Sequence, residues 1–196
     1  MSNLAINTRI KRPGGRAEQV RRKVTTAVLD TLRRGEFDFS YQQIAELSGV
    51  NKTTFYRRWP NRQDLLRDAL GEHNARFKLP ETQTWKAGIK ALIHEMARFL
   101  SQPTEIAMNL ALLNEPDLEA NIVMMDQWRP IQEQVNQLVK NAQSKGELSS
   151  DIEASAVTLM LVSPLLFVTL LKRKRADNKT IQQLVRLGQQ LETGKS

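Results

Sequence analysis

The chain contains no cysteine, which excludes disulfides, thiolate metal sites and thiol nucleophiles at once. Histidine is nearly as scarce: there are only His73 and His94, and neither stands at a metal-binding spacing. His94, among Ile93, Met96 and Phe99, reads as a hydrogen-bonded histidine in a core or at its rim rather than a catalytic base. Glu and Lys residues of the second half are spread singly, with no paired constellation, no Gly-rich phosphate loop and no alternating strand pattern. No catalytic residue, metal site or cofactor is therefore assigned, and an enzyme is not expected. The first 16 residues lack the long apolar run of a secretory signal, so a cytoplasmic protein is expected. The absence of cysteine suits that reducing compartment.

What is present is positive charge, and its placement is uneven. The net charge is +8 over 196 residues. Residues 1–62 hold 13 Lys and Arg against 5 Asp and Glu, whereas residues 63–196 hold 16 of each. All of the excess thus lies in one third of the chain, the footprint of a nucleic-acid-binding module beside a neutral partner. Its first 15 residues, with Arg9, Lys11, Arg12 and a Pro-Gly-Gly step, read as a flexible basic arm able to strengthen attraction to phosphates or enter a minor groove.

Residues 41–58 read as two short helices joined at Gly49. Ile44, Ala45 and Leu47 give the first helix an apolar edge, Val50 packs into the corner, and Phe55 anchors the second helix. Outward positions of the second helix are almost all hydroxyls and cations. Asn51, Lys52, Thr53 and Thr54 stand at the end where a recognition helix meets base edges, and Tyr56, Arg57, Arg58 and Arg62 are placed to reach phosphates. Ser40 is the expected N-cap of the first helix, with a hydroxyl that can also meet a phosphate. A preceding helix over residues 16–34, apolar at Val20, Val24, Ala27, Val28 and Leu32, completes a three-helix core with Phe37 or Phe39.

The run G-V-N-K-T-T-F-Y-R-R-W-P-N-R-Q-D-L-L resembles the recognition helix and following helix start of the TetR family of transcriptional regulators. Arg34 and Gly35, the entry Phe39, Ser40 and Tyr41, the pair Ile44 and Ala45, and the step Trp59, Pro60 extend the resemblance over about residues 20–70. It adds Tyr41 to the candidate DNA-binding residues. Arg62 departs from the lysine common in the family: the charge is kept, but a guanidinium meets phosphate differently. The resemblance implies that the helix after Asn61, apolar at Leu65, Leu66, Ala69 and Leu70, links the DNA module to the body and sets the separation of two recognition helices.

Beyond Leu79 and Pro80 the chain reads as helices over residues 84–100, 103–113, 118–142, 151–173 and 178–191, with Pro130 expected to kink or divide the third. Residues 154–171 are nearly all apolar, and four cations, Lys172, Arg173, Lys174 and Arg175, follow. The length touches the lower limit of a membrane span, about 18 residues, but Ser155, Thr158, Ser163, Pro164 and Thr169 interrupt it. The preferred reading is a helix with one side in its own core and the other against a second subunit, with no membrane involved. Ile181, Leu184, Val185, Leu187 and Leu191 extend that reading to the final helix. A homodimer through the last two helices follows, with Leu166 and Leu184 expected in its interface.

The resemblance also implies an apolar small-molecule effector in the body. Large adaptable side chains there, Met96, Phe99, Met108, Met124, Met125, Trp128 and Met160, are the candidate ligand-binding residues. Trp128 and Met124 lead because they precede the expected kink. The sequence thus predicts an all-α chain: a flexible basic arm over residues 1–15, a helix-turn-helix DNA-binding module with its linking helix over 16–78, and a helical-bundle effector and dimerisation domain over 79–196. It predicts a sequence-specific regulator that binds a double-stranded DNA operator, a repressor released by ligand. The alternative is an architectural or occlusion DNA-binding protein without an effector, sharing the same module.

Overall fold

The computed structural model describes residues 15–36, 38–114, 125–126 and 128–193, and all of its regular structure among them is helical. The basic arm apart from Gly15, Phe37 and Met124 lie outside the described residues. In chain order the helices are α1 (Arg16–Arg33), α2 (Tyr41–Leu47), α3 (Lys52–Arg58), α4 (Arg62–Asn74), α5 (Trp85–Leu100), α6 (Pro103–Asn114), α7 (Arg129–Ser144), α8 (Ala154–Lys172) and α9 (Asn178–Gln189).

Two hydrophobic cores organise them. The first gathers Val24, Val28, Leu29 and Leu32 of α1, Phe39, Ile44 and Ala45 around α2, Phe55 and Trp59 at α3, and Leu65, Leu66, Ala69 and Leu70 of α4. The three-and-four spacing on α1 and α4 puts these side chains on single stripes, so α1 and α4 pack against each other and share one core with the two short helices. Side-chain caps start α2, α3 and α4. Ser40 Oγ accepts from Gln43 N at 3.0 Å, Asn51 Oδ1 from Thr53 N at 3.0 Å, and Asn61 Oδ1 from Asp64 N at 2.8 Å.

The second core is built on α5, which contributes Trp85, Ile89, Leu92, Ile93, Met96 and Phe99. Ile131, Val135 and Val139 of α7, Val157, Leu161 and Leu165 of α8, and Ile181, Leu184 and Val185 of α9 close around it. Gly188 lets α9 approach: a Cβ there would stand 2.8 Å from Leu161 Cδ1 and 3.0 Å from Ile89 Cγ1. The Gly188 carbonyl also accepts from the Trp85 indole at 2.8 Å.

The structure refines the expected helices. Of the two outcomes expected of Pro130, a kink or a division, the second fits: Pro130 sits in the first turn of α7, and its missing N–H falls where a helix leaves donors unused anyway. Helix α8 is not regular: Ser163 N–H reaches back five residues to Thr158 O, giving a π segment at Thr158–Val162. The next residue, Pro164, has no N–H to offer the ladder, which accounts for the irregularity. Helix α6 joins both halves, because Ala107 and Met108 pack in the first core. Leu184, expected at an interface, is 7% exposed and fills the chain's own second core.

Helix α8 is long and apolar enough to cross a membrane by length and composition. One of its sides carries Val157, Leu161, Leu165 and Thr169 into the protein. Its other side leaves Leu159, Met160, Phe167 and Leu171 bare.

Candidate nucleic-acid interface

The corner between α2 and α3 depends on Gly49, whose φ of 61° would strain a residue with a Cβ. Ser48, buried beneath it, donates from Oγ to the Ala45 carbonyl at 3.0 Å. Phe55 is fully buried on the inner side of α3, and this fixes which side chains point away. Lys52, Thr53, Tyr56, Arg57 and Arg58 are exposed and Thr54 half-buried, so the outer face of α3 is made of hydroxyls and cations.

The cations are not equivalent. Lys52 Nζ lies 3.7 Å from Glu46 Oε1, with both side chains more than half exposed, a contact worth little in water and easily exchanged for a phosphate. Arg57 makes no ion pair or hydrogen bond among the described residues and points into the open. Arg58 is engaged differently from the phosphate role expected of it. Its Nη1 donates to the Ala17 carbonyl at 2.9 Å and its guanidinium lies 5.3 Å from the Trp59 ring centroid, so it fastens α3 to the start of α1. Arg62 lies over the Phe39 ring at 4.8 Å, next to exposed Ser40.

Tyr41 is also corrected. Its ring packs against Phe55 at 4.9 Å and Tyr56 at 5.2 Å, and its hydroxyl is covered with no hydrogen-bond partner among the described residues. Burial first, then the neighbouring Tyr56 and Asp64, raise its pKa, so the phenol stays neutral. In this geometry Tyr41 props Tyr56 rather than facing outward. Asn51 is partly committed as well, since its side chain caps α3.

Helix α1 contributes side chains that the pattern of the short helices did not signal. Arg16, Gln19 and Lys23 share a cleft with Asn51, Thr54, Arg57 and Arg58, so the basic surface spans α1 and α3. The signal was present in the dense cations of residues 16–23, but only the packing of α1 beside α3 turns them toward the same space.

The candidate ligand residues are brought together only in part. Met96 and Phe99 are fully buried in the second core, Met108 lies in the first, and Met125 and Met160 are exposed. Trp128 is half-buried, edge-on to Phe99 at 6.5 Å. The scatter arises because side-chain type does not tell which side of a helix faces inward.

A family model described as "Tetracyclin repressor-like, C-terminal domain" matches residues 79–187, more than half of the chain. The chain belongs to the TetR family of transcriptional regulators. As a TetR-family protein it is a DNA-binding transcriptional regulator. It is similar to the HTH-type transcriptional regulator AqdR of Rhodococcus erythropolis, 22% identical over 149 residues that cover 74% of this chain and 72% of that one. A 50-residue stretch is 44% identical to the DNA-binding transcriptional repressor TetR of Mycobacteroides abscessus, covering 25% of this chain and 26% of that repressor. Among solved structures, the regulator FadR from Bacillus subtilis, determined in complex with stearoyl-CoA, has the same fold. Its TM-score is 0.69 at 15% identity, covering 84% of this chain and 97% of FadR.

Proposed function

We propose that this TetR-family protein is a homodimeric cytoplasmic repressor whose two α3 helices read the half-sites of a near-palindromic operator in successive major grooves. The observation that carries the reading is the face of α3: an apolar anchor at Phe55 beneath, and Lys52, Thr53, Thr54, Tyr56 and Arg57 above it. Lys52, Thr53 and Thr54 stand at the N-terminal end and take the base edges; Ser40, Tyr56 and Arg57 take phosphates, joined by Arg16 and Lys23 of α1.

The second copy covers the outer side of α8. Leu159, Met160, Phe167 and Leu171, together with Leu187 of α9, present an apolar surface of the kind that pairing of identical helices removes from water. An apolar small molecule bound in the body shifts the population toward a form in which α4 carries the two recognition helices to an unsuitable spacing. The same-fold FadR in complex with stearoyl-CoA supports that class of signal.

The test is selection of genomic DNA fragments by the purified protein, followed by sequencing. The expected product is a short inverted repeat with half-sites about one helical turn, 10–10.5 bp, or a multiple of it apart. Retention of fragments that share no motif overturns the reading in favour of an architectural protein.

A further inference from the structure

Neither DNA contact nor dimerisation accounts for a buried charge-bearing pair at the joint between the two cores. His73 lies in the last turn of α4 and Glu105 in the first turn of α6; their side chains are 2% and 0% exposed, and His73 Nε2 stands 2.7 Å from Glu105 Oε1. The two atoms are within ion-pair distance but are not aligned as a hydrogen bond, and His73 Nδ1 has no hydrogen-bond partner among the described residues. Burial disfavours such groups unless each compensates the other.

The pair stands at two helix ends, His73 in the last turn of α4 and Glu105 in the first turn of α6. Asn109 Nδ2 donates to the Glu105 main-chain carbonyl at 2.8 Å and to Oε2 at 3.3 Å, while the Phe99 ring of α5 lies 5.3 Å from the imidazole. Nearby charges are engaged elsewhere. Glu72 of α4 faces Arg21 and Thr25 of α1 and Arg76 of its own helix, and Arg33 of α1 donates to Thr104 beside Glu105. Glu95 and Arg98 of α5 pair with each other at the surface. Among the described residues none of these pairs with His73 or Glu105.

The position gives the pair leverage. Helices α4 and α6 both insert into the core beneath the recognition helix, and His73 touches the body through Phe99. We propose that His73 and Glu105 form a proton-linked latch, in which the protonated imidazole clamps α4 to α6 and loss of its proton frees the joint and weakens operator binding. Deprotonation leaves a buried carboxylate opposite a neutral ring, so the clamp is lost as His73 gives up its proton. This inference rests on the reading of the chain as an operator-binding repressor.

The test uses the intact protein and an operator fragment recovered by genomic selection, at constant ionic strength. Wild-type affinity is expected to fall about fivefold or more between about pH 5.5 and 8. Because the chain has only two histidines, two variants assign the effect. His94→Gln keeps the profile, since His94 sits at the surface with its Nδ1 on the Lys90 carbonyl at 2.8 Å. His73→Gln and Glu105→Gln flatten it. If either single variant fails to fold, the apolar double variant His73→Leu/Glu105→Leu serves in its place and is also expected to be flat. The His73 ring resonances of the wild type should titrate with the same midpoint as the affinity. A flat wild-type profile, a profile surviving removal of His73, or a mismatch of the two midpoints overturns the latch. Failure to retain any genomic fragment at any pH overturns the operator-binding reading itself, and the latch with it.

Discussion

The Trp59 indole N–H donates to Asp68 Oδ2 at 3.1 Å, joining the residue that ends α3 to the middle of α4. With Trp59 almost fully buried, this bond holds the angle between α3 and α4. Asp68→Ala leaves the buried indole donor unpaired and is expected to cost about 1–3 kcal/mol. Chemical denaturation measures that loss, and operator affinity should fall with it because α3 is no longer held at one angle. Unchanged stability and affinity would show that the bond does not set this angle.

Removal of side chains from α3 should separate reading from holding. Thr53→Ala is expected to change the preference among operator variants, at about 1–3 kcal/mol per lost base contact. Arg57→Ala is expected to weaken all sequences alike and to lower the slope of log affinity against log salt by about 1. Arg58→Ala should lower thermal stability as well, since it frees α3 from the Ala17 carbonyl. Titrations of a small operator library at three salt concentrations decide among these outcomes.

Two leucine-rich helices make opposite predictions. Phe167 is 64% exposed on the outer side of α8, so Phe167→Glu should leave the monomer's stability within about 0.5 kcal/mol and abolish the dimer. Leu184→Glu places an unpaired charge in the chain's own core and should cost roughly 3–5 kcal/mol. Light scattering combined with thermal unfolding distinguishes a folded monomer from a destabilised chain. A folded Phe167→Glu dimer with wild-type affinity would move the interface off α8.

Acid should loosen the start of α9. The Thr180 amide, and then its side chain, hold the Asp177 carboxyl below its ordinary pKa. The folded state therefore binds this proton less readily than the unfolded chain. Its contribution is complete above the unfolded pKa, about 3.9, and is lost as pH falls through the lower folded value. Asp177→Asn, which keeps a capping side chain, should show a smaller fall in Tm than wild type between about pH 5 and 2.5. Identical acid profiles would remove Asp177 from the acid response.

Helix periods, caps and the α2–α3 corner were legible in the sequence because they are local. Gly49, Ser40, Asn51 and Asn61 act within four residues of themselves, and the excess charge lies in the same third of the chain as the helix-turn-helix. The outward positions Lys52, Thr53 and Arg57 follow once Phe55 is taken as the inner anchor. Tertiary packing decided what lies far apart in the chain. It placed Arg58 on Ala17, covered the Tyr41 hydroxyl, turned Leu184 inward, and brought His73 against Glu105 across 32 positions. A helical stripe shows that one side is buried but not which neighbour buries it, so Met108 could fall in either core and Pro130 in either a kink or a first turn. The family's DNA-reading corner is written in contiguous residues, whereas the joint that would control it exists only where α4, α5 and α6 meet.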